Sequence, residues 1–116
     1  MIIDVHTHIG RNDHINSSVK DLLISMDKAG IDKSLVFAGE LNDAPTEWML
    51  EQIAPHKDRL LGVAGYTPPG FGQQWSTDYT NKNLMNLYGE GKIVAVKFYT
   101  GYDHYYPSDL YNVLFL

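Results

Sequence analysis

The chain of 116 residues contains no cysteine. Disulfide staples, thiolate nucleophiles and Cys-based zinc or iron–sulfur centres are therefore excluded, which leaves His and carboxylates as the metal-ligating side chains. Positive charge is also scarce. Nine Lys+Arg stand against 14 Asp+Glu, a net charge of −5, and Lys28, Lys33 and the stretch from Lys57 to Arg59 are scattered. The basic footprint with which proteins bind phosphate backbones is missing, so nucleic acid is not expected as a partner. No run approaches the roughly 18 apolar residues of a membrane span. Residues 1–10 carry Asp4, His6 and His8 where a signal peptide would be apolar. The expectation is a cytoplasmic protein without membrane contacts.

Two common catalytic signatures are missing as well. Gly70-Phe71-Gly72 has neither the spacing of a phosphate-binding P-loop nor the third Gly of a dinucleotide fingerprint, and no Ser sits in a nucleophile elbow. With 44% hydrophobic and 20% charged residues the chain reads as one ordinary globular domain. It is less than half the length of a complete (β/α)8 barrel, which takes about 250 residues.

What the sequence does contain is a recurring strand signal. Runs of β type at 2–7, 34–38, 60–64 and 93–99 follow one another at intervals of about 30 residues, the length of one βαβ unit, and this predicts parallel strands with helical crossovers. The first crossover has Val19, Leu22, Leu23 and Met26 on one helical stripe, Ser18 and Asp21 as a capping box, Lys28 in the last turn and Gly30 as the stop. A second helix is expected over 45–54, with Trp48, Leu50 and Ile53 inward and Pro55 ending it. Leu84, Leu87 and Tyr88 mark a third, closed by Gly89 and Gly91, and a fourth starts near Ser108. The stretch 67–79, with Phe71 and Trp75 among Pro and Gly, reads as a long loop. The fold class is thus α/β, a single partial-barrel domain over 1–116 made of four βα units, the last helix truncated. Such a sheet has two open edges and an apolar tail at Val113 to Leu116, so the chain is expected to be a piece or a shortened relative of a longer protein, or to self-associate.

The chemistry concentrates in the first strand. Alternation would set Asp4, His6 and His8 on one face and Ile3, Val5 and Ile9 on the other. A polar ladder on a buried parallel strand needs compensation, and a cation held by two imidazoles at i and i+2, with the carboxylate orienting a ring N–H, provides it. A solvated edge strand is the alternative. Lys97 falls on the Ala95 face of the last strand, opposite Val94, Val96 and Phe98, where it would either contact a substrate anion or metal or snorkel to solvent. Tyr99, Tyr102 and His104 lie at or beyond that strand's C-terminal end and are candidate substrate contacts. His14 reads as a solvated loop residue, and His56 precedes a strand and belongs to the stabilising end of the sheet.

The opening Met1-Ile2-Ile3-Asp4-Val5-His6-Thr7-His8-Ile9-Gly10 resembles the first strand of the amidohydrolase superfamily. Ile93-Val94-Ala95-Val96-Lys97-Phe98-Tyr99-Thr100-Gly101-Tyr102 resembles the fourth strand of its amidohydrolase-related branch. TatD-like nucleases and PHP-type phosphoesterases share the opening motif. The segment around Lys97 and Gly101, with the Tyr-rich stretch after it, favours the amidohydrolase-related branch. The resemblance spans the chain as the N-terminal half of that family's barrel. It implies a metal-dependent hydrolase acting on C–N or C–O bonds of a small molecule through a metal-activated water. His6 and His8 would be ligands of a divalent ion, zinc before manganese or iron, with Asp4 in support and Lys97 at a position that some members carboxylate to bridge two metals. The family's later His ligands and its catalytic Asp come from strands that this chain does not contain. Lys97 as a carbamate, a loop residue or another chain would have to complete the set, and a truncated, catalytically silent half-barrel is the alternative function.

Overall fold

The computed structural model describes residues 1–11, 16–38, 46–65 and 81–98. Helix α1 (Val19–Ala29) forms where the sequence marks both of its ends. The Ser18 hydroxyl accepts from the Asp21 amide while the Asp21 carboxylate accepts from the Ser18 amide, and Gly30 stops the helix in the left-handed region at φ +69°. Helix α2 (Thr46–Ile53) runs into a 3-10 turn (Ala54–His56) with Pro55 in its first turn, where a missing amide costs nothing. Helix α3 (Asn81–Gly89) buries Leu84 but leaves Tyr88 exposed, so the expected apolar edge there is narrower than the sequence suggested.

The strands are β1 (Ile3–Arg11), β2 (Asn16–Ser17), β3 (Lys33–Ala38), β4 (Leu60–Gly65) and β5 (Ala95–Lys97), in the spatial order β2-β1-β3-β4-β5. β1, β3, β4 and β5 are parallel, as the βα spacing predicts, and the two-residue β2 adds an antiparallel pairing to the end of β1 that the sequence did not signal. The register defines two faces. Ile9, Val36, Leu60 and Ala64 fall on the face covered by the helices, where they join Leu22 and Met26 of α1 and Met49, Leu50 and Ile53 of α2 in one apolar core. Gly62 lies on that face directly beneath Leu50 and Ile53, so α2 packs close to the sheet only because no side chain stands there.

The far end from the site is tied by Arg59, which ends the turn before β4. Its Nε donates to Asp32 O, its Nη2 to Ile31 O and its Nη1 to the Asp27 carboxylate at 2.6 Å, joining the exit of α1 to the start of β4. Among the described residues no helix is long and apolar enough to cross a membrane. His56 sits in the 3-10 turn before β4, at the end of the sheet away from the cluster described next.

Candidate functional site

The other face of the sheet collects the chemistry. His8 pairs with Phe37, Phe37 with Val63, and Gly65 with Lys97, so side chains from four adjacent strands point the same way near their C-terminal ends, where βα folds place ligands. Between Asp4 and Thr7 the register of β1 against β3 slips: Asp4 pairs with Ser34 and Thr7 with Val36, so β1 carries one extra residue. Such bulges re-aim side chains and are frequent beside functional sites.

The slip corrects two expectations. Asp4 shares the helix-side register of Ser34 rather than the face of His6 and His8, and Ile3 and Val5, expected on the packed face, are exposed, Val5 by 66%. The bulge also changes what Asp4 does. Its Oδ1 accepts from the backbone N–H of His6 at 3.0 Å, so it steadies His6 through the main chain. After the bulge, Thr7 Oγ1 donates to Leu35 O at 2.9 Å and locks β1 back onto β3.

At the centre, His6 Nε2 lies 3.0 Å from His8 Nε2 and 3.1 Å from Lys97 Nζ. Both imidazole rings and the Lys97 ammonium neighbour Phe37, whose ring centroid is 4.8 Å from that of His6, 5.7 Å from that of His8 and 4.9 Å from Lys97 Nζ. The two imidazoles are 5.0 Å apart and tilted by 47°. Lys97 starts two strands away from Phe37. The β4 position paired with Lys97 is Gly65, and the one paired with Phe37 is Val63. Phe37 was not singled out in sequence, although strand alternation through Lys33 and Leu35 places it on this face once the register with His8 is known.

The donor set can be tested for a cation. His6 Nε2 offers either one in-plane lone pair or one N–H, so it satisfies one of its two nitrogen neighbours and not both. A positive ion shared by the His6 and His8 lone pairs accounts for the approach of the two rings but not for the Lys97 ammonium, which it would repel. Two ring nitrogens held at about 2.05 Å by one tetrahedral ion stand about 3.3 Å apart, close to the 3.0 Å found between His6 and His8. The fit is partial: among the described residues no group of three or more His, Cys, Asp or Glu side chains converges on one point. Tyr99, Tyr102, His104 and His14 lie outside the described residues, as do the long loop at 67–79 and the fourth helix.

No family model matches the chain, and no curated protein does. A solved structure does. The chain superimposes on the crystal structure of a probable 2-pyrone-4,6-dicarboxylic acid hydrolase from Acinetobacter baumannii with citric acid bound, with a TM-score of 0.58 and 22% identity over 82% of this chain. The likeness is one of fold. It identifies the sheet as part of a barrel-type α/β architecture, in keeping with the expectation from the βα spacing. The matched part is 36% of that protein, so this chain spans about a third of its length.

Proposed function

We propose that the chain carries part of the active site of a metal-dependent hydrolase of the amidohydrolase-related type, acting on a C–N or C–O bond of a small molecule. The observation that supports this reading best is the convergence of His6 Nε2, His8 Nε2 and Lys97 Nζ within about 3 Å at the C-terminal end of a partial barrel sheet. The fold neighbour, itself named a hydrolase, is consistent with it.

In this reading His6 and His8 would hold a divalent ion, zinc before manganese or iron. When bound, such an ion supplies Lewis-acid polarisation of a carbonyl and a water acidified toward neutral pH. Lys97 presents its ammonium from the Phe37 face, beside the ligands, where it attracts the carbonyl oxygen or a carboxylate of the substrate. Phe37 and Val63, both buried, form an apolar floor beneath the solvent-exposed His6. Asp4 and Thr7 hold the β1 backbone that carries the two imidazoles. A catalytic zinc takes about three protein ligands and a water, so with Lys97 as an ammonium the remaining ligands belong to residues outside those described or to another chain. Tyr99, Tyr102 and His104 are assigned to substrate binding, and the protein is placed in the cytoplasm. The test is hydrolysis of a panel of lactones, esters and amides by the wild type and by the His6→Ala/His8→Ala double variant. Activity confined to the wild type is expected, and activity that survives in the double variant refutes the assignment.

A second reading, a catalytically silent half-barrel that self-associates, is favoured by one feature. Met1, Ile2, Ile3 and Val5 are exposed by 90, 58, 41 and 66%, just before and at the start of a strand whose outer edge is paired, among the described residues, only at Gly10 and Arg11. Two copies could hide this apolar edge by closing β1 of one against β5 of the other. Light scattering after size exclusion decides: a dimer without hydrolytic activity supports this reading, and a monomer at working concentration removes it.

A further inference from the structure

We infer that Phe37 is the positioning residue of the cluster, a common platform that fixes where the two imidazoles and the Lys97 ammonium meet. The inference rests on the proposed metal site for its function but on the geometry for its substance. The ring contacts all three side chains, which come from two separate stretches of the fold: His6 at 4.8 Å and His8 at 5.7 Å from β1, and Lys97 at 4.9 Å from β5. Phe37 is 7% exposed and its backbone lies between His8 on β1 and Val63 on β4, so its own position is set by the sheet.

Each contact has a physical basis. The imidazole rings are tilted by 50° and 39° to the Phe37 ring, between stacked and edge-on, an arrangement in which an aromatic neighbour orients a ring without hydrogen-bonding it. The ammonium of Lys97 lies over the face of the same ring, where the quadrupole attracts a cation. His6 is exposed and lies within the bulge, and an exposed imidazole on an irregular strand has several rotamers open to it. With the ring present, both Nε2 atoms face one another at 3.0 Å. With an aliphatic side chain of similar bulk in its place the core remains filled, but the ring contacts to the two imidazoles and the attraction to the Lys97 ammonium are lost.

The experiment compares wild type with Phe37→Leu and Phe37→Tyr, folding being checked for each by circular dichroism. Two readouts are taken: zinc affinity by calorimetry, and long-range proton–nitrogen spectra of the imidazoles in metal-free protein, assigned with His6→Ala and His8→Ala. Zinc binding is expected to weaken by about 10- to 100-fold in Phe37→Leu, the range seen when a group supporting metal ligands is removed, and to stay within about threefold in Phe37→Tyr. The His6 and His8 signals should be distinct in wild type and Phe37→Tyr and averaged in Phe37→Leu. Equal losses in both variants, or unchanged affinity and spectra in Phe37→Leu, overturn the inference. If the wild type binds no zinc, the metal reading fails by itself, and the imidazole spectra alone decide the role of Phe37.

Discussion

Placing one methyl group at Gly62 tests how tightly the sheet that carries the site is built. An alanine Cβ there would stand 2.5 Å from Leu50 Cδ2, 2.6 Å from Lys92 O and 3.4 Å from Ile53 Cδ1. Ordinary carbon contacts begin near 3.5 Å, so the methyl is about 1 Å too close to the leucine and nearly as much too close to the carbonyl. Leu50 can turn its tip aside. Lys92 O cannot retreat as easily, because two residues on the Val94 amide donates to Gly62 O at 2.9 Å and pulls the entry to β5 toward the position the methyl pushes it from. Overpacking of this kind costs about 1–3 kcal/mol. With a urea slope of about 1.5 kcal/mol per molar, the middle of that range lowers the unfolding midpoint by about 1 M or more. The strain falls on β5, which pairs with β4 at Val63 and Gly65, so Lys97 is displaced as stability is lost. Urea unfolding followed by circular dichroism is the assay, with a lower midpoint and an unchanged slope expected for Gly62→Ala. A midpoint within about 0.2 M of wild type would refute the close packing of α2 and β5 over this glycine.

Further outcomes follow from the same contacts. Arg59→Lys cannot reproduce the three bonds to Asp32 O, Ile31 O and the Asp27 carboxylate, and should cost about 1–3 kcal/mol in urea unfolding; an unchanged midpoint would show that the clamp is idle. The Ser18 hydroxyl, and then its amide, hold the Asp21 carboxyl below its usual range. A carboxyl lowered in the folded state adds stability above the ordinary carboxylate value, and that share is lost as pH falls through the lowered one. In Ser18→Ala the Asp21 titration, followed by carbon NMR, should move up toward the ordinary value, and a titration that does not move contradicts the capping box. Lys97→Met should leave the thermal midpoint within a few degrees, since the side chain is on the site face, while hydrolysis falls by about 100-fold if its charge acts on the substrate. Wild-type rates in that variant would assign Lys97 a packing role.

The parallel βα order and the ends of α1 were legible because they rest on local rules. Ser18, Asp21 and Gly30 each do in the fold what their chemistry favours in any helix. His6, His8 and Lys97 could be grouped as candidates because strand ends of a βα sheet gather ligands, and the structure brings the three side chains together. The bulge was not legible: nothing between Asp4 and Thr7 marks an inserted residue, and only pairing with β3 reveals that Asp4 and the two histidines lie on different registers. Phe37 was hidden for a related reason. In Lys33–Ala38 it reads as one more apolar strand residue, and its role exists only through neighbours 29, 31 and 60 positions away in the chain. The two-residue β2 carries too few residues for any periodicity to appear.

The central claim is that His6 and His8 are metal ligands, and metal content per chain tests it most directly. Inductively coupled plasma mass spectrometry is run on tag-free wild type and on His6→Ala/His8→Ala, both checked for folding. The account predicts zinc, manganese or iron close to one ion per chain in the wild type and none above background in the double variant. Folded wild-type protein free of metal, or metal retained by the double variant, would contradict it.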